Sequence, residues 1–300
     1  MSQYRIDPAQ RRLTVRGPQT EAEWDRLFDY LEEQGLTGLE AEGLTDAALA
    51  RLTARHNLTY LNLGAGPLLT NAGTCSIGRM PALEHLELGG WKCPITAEGF
   101  EFLQDLPNLR CLHSPWTRGL TDHVLPHLAG CDKLHEIDLL GTPTGDGVIT
   151  ALSGKRELRY LTCGPAVTDA GIAALHDIPC FKTWMGGEEF FELTGWTAKP
   201  NHLILDGPFT DDGLRRLRGL EGLFGLTFFW HCPNFTSQGL TVLQGLPRLA
   251  FLGCQDAHCD DTAMRHIAAI PGLKMLMGQG AVAYRSQSSD FEQAAQSGVG

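Results

Sequence analysis

The chain has 300 residues, 43% of them apolar and 20% charged, which is enough for a large core and excludes a mainly disordered chain. Its formal net charge of -11, without any Lys/Arg run, argues against nucleic-acid binding and leaves a basic partner favoured. No stretch approaches the roughly 18 uncharged apolar residues of a membrane span, and the polar segment Met1 to Arg16 carries no apolar secretory h-region.

Residues 1–19 read as an N-terminal segment and 20–44 as a capping unit. Trp24, Leu27, Phe28 and Leu31 have helical spacing above an acidic outer face. From 45 to 284 the chain repeats itself in about ten units. Thr210-Asp211-Asp212-Gly213-Leu214 leads to Leu217, Leu223, Leu226 and Phe228. Thr236-Ser237-Gln238-Gly239-Leu240 leads to Leu243, Leu249, Leu252 and Cys254. Further copies start at Thr45, Thr70, Thr96, Thr121, Gly145, Thr168 and Asp260, and the spacings from 45 to 168 are 25, 26, 25, 24 and 23 residues. That period excludes the longer helical repeats and propeller blades.

Each unit has two halves. The first predicts a short helix: Thr caps its start, Asp favours the positive end of its dipole, and Pro81, Pro107, Pro179, Pro247 or Pro271 stops it. The second alternates with period two, as in Leu83-Glu84-His85-Leu86-Glu87-Leu88, and predicts a strand buried on one face. Stacked units predict an α/β solenoid, a horseshoe with a concave parallel sheet and short convex helices. The 42 residues from Thr168 to Thr210 leave room for two short units or one with an insertion, so 187–209 is irregular and 188–200 reads as a protruding loop. Residues 285–300 form a polar tail expected to be disordered.

The pattern Thr-Asp-x-Gly-Leu-x-x-Leu followed by Leu-Pro-x-Leu-x-x-Leu-x-Leu, carried by Thr96 to Leu112 and Thr236 to Leu252, resembles bacterial leucine-rich-repeat proteins. It is similar to the cysteine-containing, GALA-like type shared with F-box-linked substrate receptors, over about residues 20 to 284. The resemblance implies a binding scaffold, or the recognition arm of a ubiquitin ligase or secreted effector, although no F-box-like segment precedes the repeats. Where the family often carries Asn, Cys or Thr beyond the strand, this chain has Gly66, Trp91, Thr117, Thr142, Ala166, His231 and Ala257, which predicts irregular turns.

Signals for chemistry are weak. Cys254, His258 and Cys259, or His123 and His127, are candidate zinc ligands, but neither spacing matches a strong zinc pattern. Cys259-Asp260-Asp261 matches the Cys-x-Asp motif of one family of leucine-rich-repeat effectors, yet it lies inside a repeat. No phosphate loop or nucleophile elbow is present. The nine cysteines, an odd number without paired spacing, read as free thiols in a reducing compartment, hence a cytoplasmic chain. We expect no enzyme activity, no cofactor and no metal.

The working surface is read from strand positions beside the leucines. One column holds Tyr60, His85, Cys111, Glu136, Tyr160, Thr183, Phe251 and Met275. The other holds Asn62, Glu87, His113, Asp138, Thr162, Met185, Thr227, Gly253 and Met277, with Trp91, Trp116, Phe229 and Trp230 just beyond. The aromatic and His enrichment predicts a protein-binding face made of Tyr60, His85, Glu87, His113, Trp116, Glu136, Asp138, Tyr160, Phe229, Trp230 and Phe251. The partner is another protein, with no nucleic acid and no membrane. The oligomeric state and the partner's identity stay open.

Overall fold

A computed structural model of the chain describes residues 4–184, 192–194, 197–199, 201–254, 260–278 and 281–284. The chain divides into two compact units, Met1–Pro143 and Thr144–Gly300.

The first unit opens on an antiparallel pair, β1 (Tyr4–Asp7) and β2 (Arg12–Val15). Helix α1 (Glu21–Glu33) follows, started by a capping box in which Thr20 and Glu23 satisfy each other's backbone N–H groups. Its predicted apolar stripe, Trp24, Leu27, Phe28 and Leu31, is buried. Its acidic face is ion-paired with helix α2 (Asp46–Arg55): Arg51 reaches Glu21 at 2.6 Å and Asp25 at 2.7 Å. Exposed pairs of this kind add little stability, but they fix the first helix against the second. The remaining strands, β3 (Gly38–Ala41), β4 (Tyr60–Asn62), β5 (His85–Glu87), β6 (Cys111–His113) and β7 (Glu136–Asp138), add in parallel from β2 onward, in chain order.

The second unit holds β8 (Tyr160–Thr162), the antiparallel hairpin β9 (Glu192–Thr194) and β10 (Thr197–Lys199), then β11 (His202–Leu205), β12 (Gly225–Phe228), β13 (Phe251–Cys254), β14 (Met275–Gly278) and β15 (Ala281–Tyr284). Strand β8 pairs directly with β11, and β11 to β14 continue in parallel. The long interval after Thr168 is therefore one repeat carrying an insertion. The segment expected to protrude as a loop contains the hairpin, and β10 runs beside β11 and β12. Strand β15 turns back antiparallel on β14. Pro179 follows the end of the helical run at Asp177, as predicted. It opens Pro179–Lys182, where its missing N–H costs nothing.

The Thr-Asp-x-Gly signature has a packing reason that helix dipoles alone do not supply. Four of these threonines cap their own helices: the Thr45, Thr70, Thr168 and Thr210 hydroxyls accept backbone N–H groups two or three residues on, whereas Thr96 makes no such bond. The Asp of the preceding repeat then holds the same Thr from outside. Asp46 accepts the Thr70 N–H at 2.9 Å and its hydroxyl at 2.6 Å. Asp146 does the same for Thr168 at 2.8 and 2.6 Å, Asp169 for Thr210 at 2.7 and 2.8 Å, and Asp211 for Thr236 at 2.7 Å twice. The Gly three residues after each Thr leaves room for that carboxylate. A Cβ on Gly73, Gly171, Gly213 or Gly239 would overlap Asp46, Asp146, Asp169 or Asp211 respectively.

Candidate functional face

Within the first unit, the strand leucines Leu39, Leu61, Leu86, Leu112 and Ile137 are fully buried toward the helical layer. Their neighbours are half-buried on the opposite sheet face, so β4 to β7 each read intermediate, buried, intermediate. The register sets two rows side by side. Arg12, Gly38, Tyr60, His85, Cys111 and Glu136 form one row, and Thr14, Glu40, Asn62, Glu87, His113 and Asp138 form the other.

These rows are linked across the strands. The Arg12 guanidinium stacks over the Tyr60 ring at 3.3 Å, which glycine at position 38, between them, allows. Tyr60 stacks on His85 with ring centroids 4.5 Å apart, and His85 meets His113 edge-on at 5.0 Å. The Asn62 amide donates to Glu87 at 2.8 Å, and Thr14 donates to Glu40 at 3.2 Å. His113 Nε2 lies 3.0 Å from Glu136 Oε1.

The electrostatics of the face are acidic. The two rows carry four carboxylates, Glu40, Glu87, Glu136 and Asp138, and one guanidinium, that of Arg12. Burial pushes the Glu87 carboxyl above its usual range. The charge of His113 opposes that rise, and the charges of Glu40 and Asp138 reinforce it. For His113, burial acts to lower the pKa, but the hydrogen bond and charge of Glu136, with Asp138 and Glu87 behind it, outweigh burial and raise it. His85, Glu87 and His113 place one ligand atom each within 4.8 Å of one another. They are the residues of the described face that could hold a metal ion, and neither predicted zinc pair includes them. Columns read one at a time conceal the triad, because His85 is in one row and the other two in the next.

Just beyond the strands, Trp91 stacks on Trp116 at 4.6 Å and 17°, and 64% of Trp91 is exposed. Trp116 has φ +59°, and its ring rests where Gly141 has no side chain.

The second unit differs. Its strands β8 and β11 to β13 are buried at every position. Phe251 is 0% exposed, Phe229 5% and Tyr160 6%, against 49% for Trp230. Tyr160, Phe229 and Phe251, expected on an open face, are covered in this structure. The row position expected for Thr183 belongs to His202, which pairs with Tyr160 and Gly225 and is fully buried, its Nε2 3.0 Å from the Thr227 hydroxyl. The neighbouring expectation, Met185, lies outside the described residues, as do His258 and Cys259 of the zinc candidates and the tail 285–300. His123 and His127 sit at and beside a short 3-10 helix, Leu125–Gly130, and join no metal-binding cluster among the described residues.

No protein-family profile matches the chain, and no curated protein matches it either. Among solved structures, an internalin (inlF) from Listeria monocytogenes superposes with a TM-score of 0.52 at 18% identity, covering 86% of this chain and 74% of that one. With the parallel strands and short helices of each repeat, that likeness decides the fold. The chain is an α/β leucine-rich-repeat solenoid. A second internalin (inlC2) from the same organism matches at a TM-score of 0.43, 17% identity, 87% of this chain and 84% of that one. The Rad7 and Elc1 complex of yeast matches at 0.38, 15% identity, 93% and 90%. These likenesses concern the fold alone. No helix among the described residues is long and apolar enough to cross a membrane.

Proposed function

We propose that this leucine-rich-repeat protein is a non-catalytic scaffold that captures another protein on the sheet face of its first unit. One observation carries the reading. The face joins a half-buried acidic and histidine surface, Tyr60, His85, Glu87, His113, Glu136 and Asp138, to the exposed Trp91 resting on Trp116. Large rings at an acidic rim are the anchors that protein interfaces favour. The excess of carboxylates there selects a basic patch on the partner. The eight described cysteines are free thiols, which supports reading the protein as one of a reducing compartment such as the cytoplasm. The buried repeat cysteines Cys131, Cys163 and Cys254 also fit the cysteine-containing, GALA-like type, and with it a second reading as the recognition arm of a ubiquitin ligase or effector.

A photo-crosslinking residue placed at Lys92, exposed beside Trp91, tests the site. It is expected to trap a protein that the same probe at the exposed, helix-side Arg215 does not. Trapping from Arg215 alone would move the site off this face.

A further inference from the structure

We propose that His85, Glu87 and His113 form a binding site for a divalent transition-metal ion of the zinc class, on the sheet face of the first unit. The inference goes beyond partner capture and stands or falls on the isolated protein.

The residue types come first. Two imidazoles and one carboxylate are a ligand set that zinc takes readily, with a further position left for water. Placement comes second. His85 and Glu87 are two residues apart on β5 and so share one face, and the register sets His113 opposite Glu87 on β6. All three stand on strands of a parallel sheet rather than on loops, which fixes their backbones. The three ligand atoms lie within 4.8 Å of one another. Ligands about 2.1 Å from one tetrahedral ion stand about 3.4 Å apart. Closing that gap takes small side-chain rotations and no strand movement.

The surroundings match a metal site as well. A ligating histidine usually passes its second ring nitrogen to a carboxylate, which orients the ring. Glu136 stands in the place of such a carboxylate, 3.0 Å from His113 Nε2. A ligating carboxylate is usually held by a hydrogen bond, and the Asn62 amide holds Glu87 at 2.8 Å. Asn62 is itself fixed, because its side-chain oxygen accepts the Gly64 N–H at 2.8 Å. The charge balance points the same way: four carboxylates and one guanidinium occupy the two rows, so a bound dication removes repulsion rather than adding it. Half-burial leaves the site open to solvent, so the ion can enter and exchange.

The test is competition for zinc between the full chain, freed of metal, and a chromophoric chelator. Surface cysteines are alkylated beforehand, and the protein is shown to be folded by circular dichroism. The wild type is expected to take up one zinc per chain. His85→Ala and His113→Ala are expected to abolish that uptake while melting like the wild type without zinc. Glu136→Gln is expected to weaken it by about 10-fold or more, as loss of an outer partner does. Zinc is also expected to raise the melting temperature of the wild type and of neither histidine variant. No uptake by the wild type would overturn the proposal, and so would uptake that His85→Ala and His113→Ala leave unchanged.

Discussion

At the residue scale, the repeat signature is a lock between neighbouring repeats. The Asp169 carboxylate takes both the N–H and the hydroxyl of Thr210, and only a glycine at 213 admits it. Gly213→Ala is therefore expected to cost about 2 kcal/mol or more, from overpacking and the loss of one or both hydrogen bonds. Gly245→Ala, where nothing stands within 4 Å of the added methyl, is expected to stay within about 0.5 kcal/mol. Urea unfolding of the two variants checks the contrast. A second residue-scale prediction concerns His56, whose Nε2 is buried without a partner and whose ring meets Phe28 edge-on at 6.1 Å. Burial, aided by the Arg55 charge and opposed by Glu32 and Asp29, holds its pKa below the ordinary value. The unfolded chain then takes the proton first, so the stability His56 supports is present above about pH 6.5 and lost as pH falls through the folded pKa. His56→Phe is expected to flatten the fall in unfolding free energy between about pH 7.5 and about pH 5.5. An unchanged slope would remove His56 from that account.

At the element scale, the alternation of each strand was legible because one residue in two must enter the core, and Leu61, Leu86 and Leu112 do. The helix starts were legible from Thr, but the partner of the following Asp was not, since it is in the next repeat. Two features needed the structure. The insertion after Thr168 gives no periodic signal of its own, so its hairpin beside β11 and β12 could not be read; Leu203 and Leu205 have strand spacing, but the missing Thr-Asp signature put Thr183 rather than His202 in the sheet row. Cysteines in strand core columns were legible, and Cys163 and Cys254 are buried at 0% and 1%. Burial also pushes the Cys180 thiol up to about 12, although Arg159 and backbone groups act against it. In the native protein, Cys75, which is exposed, is expected to react quickly with a thiol reagent, while Cys131, Cys163, Cys180, Cys232 and Cys254 react only after unfolding. Mass-mapped alkylation distinguishes the two groups, and fast labelling of Cys163 or Cys180 would contradict the packing described for them.

At the scale of the whole molecule, the two units share a repeat and differ in what their sheets present. In Met1–Pro143 the face stays half-open and acidic. In Thr144–Gly300 the equivalent strands are covered, and Tyr160 and Phe251 are buried with them. An aromatic beside a strand leucine looks the same in sequence whether its strand is open or covered, so aromatic enrichment does not separate the two groups. We propose that partner capture belongs to the first face. The most direct measurement is quantitative affinity capture by the wild type, a Tyr60→Ala/Trp91→Ala variant and a Trp230→Ala variant, all shown to be folded. Loss of anchors of this kind costs about 2 kcal/mol or more in binding, roughly a 30-fold loss of affinity. A protein retained by the wild type and by Trp230→Ala, but lost from Tyr60→Ala/Trp91→Ala, is the predicted result. The same protein held equally by all three would contradict the claim.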